Sequence, residues 1–218
     1  MTEIRDTITN LIKPSESYVV ALSGGVDSSV LLHAIKTHTP NVRSVFVNHN
    51  QQDSNSLQKS AENFAEIMKV EHISLETRLE PAASETKMRE TRYQLLFSNL
   101  KADEILLLGH HHDDKIETFL MNLFRGTRLK GLLSIKQKSK NILRPFIEIK
   151  KKTITEYAKQ NDIKFTEDKT NKDNSVLRNW LRNELIPDIE KNFKGDLNSK
   201  IQSLILEIEE LTKNDKKL

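Results

Sequence analysis

The chain has 218 residues, 36% hydrophobic and 30% charged, with a formal net charge of +3 and no cysteine. That length has room for one large domain, or for a catalytic domain with a small helical appendage, and it can bury a core. The missing cysteines exclude a cysteine–zinc site, an iron–sulfur cluster or a persulfide carrier built from these residues alone. No apolar run is long enough to span a membrane, and the opening Met1-Thr2-Glu3-Ile4-Arg5-Asp6 carries acids where a signal peptide needs bases. A cytoplasmic enzyme with no membrane partner is the expectation.

Residues 1–14 read as a short amphipathic helix, with Ile4, Ile8, Leu11 and Ile12 at helical spacing and Pro14 closing it. The apolar run Tyr18-Val19-Val20-Ala21-Leu22 predicts a strand, and Val30-Leu31-Leu32-His33-Ala34-Ile35 predicts a helix. Between them stands Ser23-Gly24-Gly25-Val26-Asp27-Ser28-Ser29. Adjacent glycines allow a tight bend whose N–H groups point at an anion, at the positive end of a helix. The hydroxyls of Ser23, Ser28 and Ser29 add neutral donors. The stretch lacks the lysine of the G-x-x-x-x-G-K-[ST] loop, and Asp27 would repel phosphates unless a cation such as Mg²⁺ intervenes. The competing reading is a polar turn with Asp27 as helix cap.

Val42-Arg43-Ser44-Val45-Phe46-Val47-Asn48-His49 predicts a second strand, which sets Asn48 and His49 at the rim where open parallel sheets bind ligands. A helix over residues 54–69, a strand over 71–76 and a helix from Ser84 continue the β-α-β alternation. On that last helix Glu85, Arg89 and Arg92 share a face, suited to an anion or simply a surface Glu–Arg pair. The apolar strand Glu104-Ile105-Leu106-Leu107-Leu108-Gly109 runs into His110-His111-His112-Asp113-Asp114-Lys115-Ile116-Glu117. His110, Asp113, Asp114 and Glu117 fall near one helical face, where the carboxylates suit an oxygen-rich Mg²⁺ site better than a transition metal. Arg125, Arg128 and Lys130 sit in a basic glycine-containing loop placed for phosphates. An extended Leu143-Arg144-Pro145-Phe146 and a helix over residues 151–160 follow. The lysine runs at residues 136–140 and 150–152 read as solvated surface or as a track for a phosphate backbone. Arg178 and Arg182 share a face without an acid at i±4, a fork for phosphate or carboxylate. Leu197, Ile201, Leu204, Ile205, Ile208 and Leu211 form an apolar stripe that makes a homodimer conceivable.

The loop at residues 23–29 resembles the pyrophosphate-binding loop of the N-type ATP pyrophosphatases. Other stretches narrow the likeness: Glu85 with Arg89-Glu90-Thr91-Arg92-Tyr93, Gly109-His110-His111-His112-Asp113-Asp114, Phe124-Arg125-Gly126, Leu129-Lys130-Gly131-Leu132, Arg144-Pro145, Glu167-Asp168-Lys169-Thr170-Asn171 and Arg178-Asn179-Trp180-Leu181-Arg182. With these, residues 17–189 resemble the tRNA(Ile)-lysidine synthetase family. That family joins free lysine to C2 of the wobble cytidine of a CAU-anticodon isoleucine tRNA through an adenylated base. The resemblance implies ATP and Mg²⁺ as cofactors, and tRNA(Ile) and L-lysine as partners.

It implies nucleotide contacts from Ala21, Ser23, Gly24, Gly25, Val26, Asp27, Ser28, Ser29, Asn48 and His110, and metal contacts from Asp27, Asp113 and Asp114. Asp27, Asp113, Arg89 and Arg178 are the implied catalytic set, the two arginines meeting the lysine carboxylate or the adenylate. Arg125, Arg128, Lys130 and Arg182 are assigned to RNA. The expected architecture is α/β, a doubly wound, mostly parallel, Rossmann-like sheet of the adenine nucleotide alpha hydrolase type. A helix over residues 1–16 precedes the nucleotide domain at 17–148, and a helical extension at 149–218 follows, with no further domain. Asn50-Gln51-Gln52 stands where the family carries Gly-Leu-Arg, and Lys115 where it carries Gln. The alternatives are thiolation of a tRNA base by the same adenylation, amide formation on a small molecule, and an inactive tRNA- or nucleotide-binding module.

Overall fold

Tyr18, Val19 and Val20 are each at most 1% exposed, as a strand buried on both faces requires. A computed structural model describes residues 2–50, 54–77, 84–133, 135–166, 169–193 and 195–214. Gln51, Gln52, Glu167 and Asp168, which the sequence singles out, lie outside the described residues.

In chain order the elements are α1 (Thr2–Leu11), β1 (Ser17–Ala21), α2 (Val26–His38), β2 (Val42–Asn48), α3 (Ser54–Ile67), β3 (His72–Glu76), α4 (Glu85–Asn99) and β4 (Glu104–Leu107). Then come α5 (His112–Phe124), α6 (Leu129–Leu132), β5 (Lys138–Ser139), β6 (Ile142–Leu143) and α7 (Lys151–Gln160). A 3-10 turn (Lys169–Lys172), α8 (Leu177–Trp180), a π turn (Leu181–Leu185), α9 (Ile186–Phe193) and α10 (Leu197–Asn214) complete the chain.

They form two compact units, one of residues 1–111 and 137–168, the other of residues 112–136 and 169–218. In the first, the described residues make a six-stranded sheet in the order β3-β2-β1-β4-β6-β5. All pairs are parallel except β5 with β6. Side-chain alternation along β1 sorts the core into two layers. Tyr18, Val20 and Leu22 face one layer with Ile4, Ile8, Leu31, Ile35, Phe64 and Ile154, from α1, α2, α3 and α7. Val19 faces the other, with Val45, Leu106 and Leu96 of α4. The chain steps outward from β1 through β2 to β3 and then returns to place β4 on the other flank of β1. The carboxyl ends of β1 and β4 are therefore the topological switch point, where open α/β sheets take ligands.

The second unit is helical. Ile116, Phe119, Leu120 and Met121 of α5 pack with Leu132, Leu181, Ile201, Ile205 and Ile208. The expected stripe on α10 is thus split: Ile201, Ile205 and Ile208 are core, whereas Leu204 and Leu211 are 44% and 55% exposed. At 100° per residue those two lie about 60–80° round the helix from Ile201, on the stripe's margin. Among the described residues no helix is long and apolar enough to cross a membrane.

A buried ion pair crosses the amino end of the sheet. Arg43 Nε and Nη2 each donate to a Glu104 carboxylate oxygen at 2.6 Å, and Nη1 donates to Asn99 Oδ1 at 2.8 Å. The Arg43 hydrogen bonds hold the Glu104 carboxyl below its ordinary 4.5 against the opposing effect of burial. A folded value below the unfolded one stabilises above the ordinary carboxyl range and stops doing so as pH falls through the folded value. Glu104→Gln should therefore cost about 3–5 kcal/mol at neutral pH, read from urea unfolding. The gap to wild type should narrow below pH 4.5. A gap independent of pH would mean that the charge of Glu104 does not stabilise the fold.

Candidate active site

The loop leaving β1 is held by its own hydroxyls and by main chain. Ser23 N–H donates to Ser28 Oγ at 3.0 Å, and Ser28 and Ser29 hydroxyls donate to Gly25 O at 3.1 and 3.0 Å. Gly24 is left-handed at φ +79°, and a Cβ there would meet the Leu57 carbonyl oxygen of α3 at 2.3 Å. Its own carbonyl accepts from Thr166 N–H at 3.0 Å and Ser60 Oγ at 3.2 Å. Gly109, just past β4, leaves only 3.2 Å between a built Cβ and the backbone of Asp27 and Ser28. These contacts fix the first turn of α2 at the switch point. Gly25 caps α2 with extended backbone and no side-chain bond, so the first N–H groups of the helix stay available to an anion.

Asp27 is not left as a bare negative charge. Lys151 Nζ, from the first residue of α7, lies 2.5 Å from Asp27 Oδ1, and His111 Nε2 lies 3.9 Å from Oδ2. The Lys151 and Asp27 side chains are 37% and 29% exposed. No cluster of three or more His, Cys, Asp or Glu that could hold a metal stands together among the described residues. The donor set therefore fits Mg²⁺ only as an ion that takes most of its ligands from phosphate oxygens and water, alongside Asp27.

Asn48, at the end of β2, is 2% exposed. Its side-chain amide donates to Gln58 Oε1 at 2.7 Å and Asn55 Oδ1 at 3.3 Å, and its Oδ1 accepts from Asn50 N–H at 2.7 Å. These bonds tie the strand end to α3 and to its own loop. Burial pushes the neighbouring His49 down, and the charge of Arg92 adds to that shift. His110 is half-buried beyond β4, and Arg89 lies exposed on α4 with its guanidinium 5.5 Å from the Tyr93 ring centre.

In the second unit, Asp113 and Asp114 open α5, with Glu117 one turn further and only 1% exposed. Arg182 grips Glu117 in a fork, Nε to Oε1 at 2.6 Å and Nη2 to Oε2 at 2.9 Å, and Nη2 reaches Asp114 Oδ1 at 3.3 Å. Arg178 donates to Thr118 Oγ1 at 3.1 Å, with Nε 3.7 Å from Glu117 Oε2. Burial pushes the Glu117 carboxyl up, and the Arg182 hydrogen bonds and charge pull it back. Asn179 Nδ2 donates to the carbonyls of Thr170 and Asp173 at 2.8 and 2.9 Å, holding the segment before α8. Arg125, Arg128 and Lys130 are exposed between and on α5 and α6.

The loop residues from Ala21 to Ser29 thus gather at the switch point with Asn48 and His110 on neighbouring strand ends, while Asp114, Arg178 and Arg182 gather round Glu117 in the second unit, with Asp113 next to Asp114 in the first turn of α5. The arginine fork expected to be open is engaged by acids of α5. A search of i±4 positions covers one helix only, and these partners come from another. Lys151 and His111 are absent from the expected site, and Glu117, expected among the carboxylates of a Mg²⁺ site, is held by Arg182. One signal for Lys151 was in the sequence: three consecutive lysines at a helix start oppose the macrodipole, which favours an acid beside one of them.

A parallel doubly wound sheet, with a serine–glycine loop feeding a helix at its switch point, defines a nucleotide-binding α/β protein. The family model of the PP-loop domain matches residues 1–189, and the chain belongs to that family. A tRNA(Ile)-lysidine synthase of Bdellovibrio bacteriovorus is 36% identical over 195 residues, covering 85% of this chain and 61% of that protein. One from Buchnera aphidicola is 33% identical over 205 residues, 88% of this chain and 46% of that protein. The chain thus spans about half of the length of these relatives. The fold is shared with a U34-tRNA thiolase of Methanococcus maripaludis, at a TM-score of 0.74 and 19% identity over 97% of this chain and 76% of that one.

Gly24→Ala forces both a left-handed alanine and a clash with a main-chain oxygen, so it should lower stability by more than about 1 kcal/mol. Thermal unfolding checks this, and an unchanged melting temperature would show that the loop is not clamped. Arg182→Ala leaves Glu117 buried with only the longer Arg178 contact. Its carboxyl should then rise further, so that the folded state binds a proton more tightly than the unfolded chain. The variant should gain stability as pH falls from about 8 to 5 more steeply than wild type, whose Glu117 carboxyl is already raised. Urea unfolding across that range decides it; a profile no steeper than wild type would mean that Arg182 does not compensate the charge.

Proposed function

We propose that the protein joins lysine to C2 of the wobble cytidine of a CAU-anticodon isoleucine tRNA, consuming ATP and releasing AMP and pyrophosphate. The observation that carries this reading is that its relatives at 30–36% identity, aligned over more than four-fifths of the chain, are tRNA(Ile)-lysidine synthases. The geometry of the loop supports the first half-reaction. N–H groups at the start of α2 meet the phosphates while cytosine O2 attacks the α-phosphorus; the new O–P bond forms as the bond to pyrophosphate breaks and its electron pair leaves with the pyrophosphate oxygen. Mg²⁺, when bound, would screen phosphate charge, with Asp27 as the ligand from the loop.

The neutral ε-amine of lysine then forms the C2–N bond, AMP departs with the C2–O electrons, and the nitrogen loses a proton. Asp113 and Asp114 are the acids we assign to metal or amine, and Arg89 and Arg178 to the lysine carboxylate or adenylate. Arg125, Arg128 and Lys130, all exposed, would meet RNA phosphates. Arg182, gripping Glu117, would act on RNA mainly by ordering that acidic helix face. The fold is equally that of a tRNA thiolase solved with a 4Fe–4S cluster, but this sequence has no cysteine to ligate one.

Incubation with Mg²⁺-ATP, labelled lysine and an unmodified CAU isoleucine tRNA transcript should place label in that RNA with one AMP per lysine, and none in the methionine tRNA. AMP release without label would overturn lysine as the nucleophile. Asp27→Asn should reduce AMP formation by about 100-fold or more, and undiminished AMP formation would remove Asp27 from the chemistry.

A further inference from the structure

The loop at residues 23–29 contains one acid and no base. Its donors are neutral N–H and O–H groups, yet a nucleotide triphosphate brings several negative charges beside Asp27. The ammonium nearest this conflict belongs to another element. Lys151 opens α7 and lies 2.5 Å from Asp27 Oδ1, within the same compact unit as the loop. Lys152, its neighbour, turns instead toward Glu156 at 3.9 Å with 86% of its side chain exposed. Position 151 is therefore not simply one of three interchangeable surface lysines. The N-cap of α7 makes no side-chain bond, and a cation in its first turn opposes the helix dipole, so nothing in α7 itself favours a lysine there.

We propose that Lys151 is the phosphate-neutralising lysine of this site, its ammonium bridging Asp27 to the β and γ phosphates of bound ATP. This rests on the reading that the loop binds ATP. An ammonium is a compact charge with three donors, able to hold a carboxylate and a phosphate oxygen together. Over a third of the side chain is exposed, so a ligand at the loop can reach it. When the bond between the α-phosphorus and the bridging oxygen breaks, its electron pair passes to pyrophosphate, and negative charge grows there. A cation fixed beside that oxygen gains interaction in the transition state and assists departure. Asp27 has a corresponding second role: it keeps the ammonium aimed at the loop before nucleotide arrives.

A salt bridge that merely fastens α7 to the loop would not distinguish one nucleotide from another. Calorimetric titrations of the full chain with ATP, inorganic pyrophosphate and AMP, for wild type, Lys151→Met and Lys151→Arg, separate the two roles. Lys151→Met should weaken ATP and pyrophosphate by about 10- to 100-fold, the loss of a charge-assisted hydrogen bond, and leave AMP unchanged. Lys151→Arg, which keeps the ion pair and hence the fold, should recover most of that loss. Equal weakening of all three ligands, or undiminished ATP binding in Lys151→Met, would overturn the proposal. A wild-type protein that binds ATP no better than AMP would remove the ATP reading itself, and the role of Lys151 with it.

Discussion

Two places where main chain crosses main chain, one with no room for a Cβ and one with little, determine the rest of the site. Gly24 lies against the Leu57 carbonyl of α3, and Gly109 against the backbone of Asp27 and Ser28. Through these contacts β1, β4, α2 and α3 are locked to one another at the switch point of the sheet. Since protein interiors are close-packed, a backbone held on both sides cannot drift by a few tenths of an ångström without moving its neighbours. The N–H groups at the start of α2 are therefore aimed before any ligand arrives. Preorganised donors of that kind avoid a reorganisation cost during reaction. Glycine at position 24 is demanded twice over, by a positive φ and by the neighbouring chain.

Among the described residues the buried charges pair across elements. Asp27 of α2 meets Lys151 of α7, Arg43 of β2 meets Glu104 of β4, and Glu117 of α5 meets Arg182 in the π turn. The latter two acids are nearly inaccessible, at 5% and 1% exposure. Removing one partner from such a pair leaves an uncompensated buried charge, which is far costlier than losing a surface ion pair. Asp27 and Lys151 differ in kind. Both remain partly exposed, so their interaction is screened and can be shared with an incoming anion.

This contrast explains how much of the molecule was legible in its sequence. The strands were, because Tyr18-Val19-Val20 and Leu106-Leu107-Leu108 are apolar runs that only a sheet covered on both faces accommodates. The glycine–serine loop leading into a helix was, because its constraint is local: glycines, hydroxyls and a following helix. Partners were not. Neither Arg178 nor Arg182 has an acid at i±4, and Glu117 stands some sixty residues away in the chain. Lys151 is 124 residues from Asp27. The apolar stripe on α10 was read as one face, yet Leu204 lies on its margin and stays exposed, since α5 and its neighbours cover an arc narrower than the stripe.

The break in the last helical segment shows how one residue sets the geometry of another. Pro187 stands at the second position of α9 and has no N–H to give the carbonyl four residues earlier. An uninterrupted α-helix would leave that carbonyl orphaned and press the pyrrolidine ring against the preceding turn. The chain widens instead: Ile186 N–H bonds to Leu181 O, five residues back. Arg182 lies inside this wider turn and Leu181 at its start, the latter fully buried. Leu181 anchors the turn in the core of the second unit while Arg182 lies along α5 to reach both Asp114 and Glu117. Pro187 thus accompanies a local widening at the very segment that holds the arginine–carboxylate cluster together.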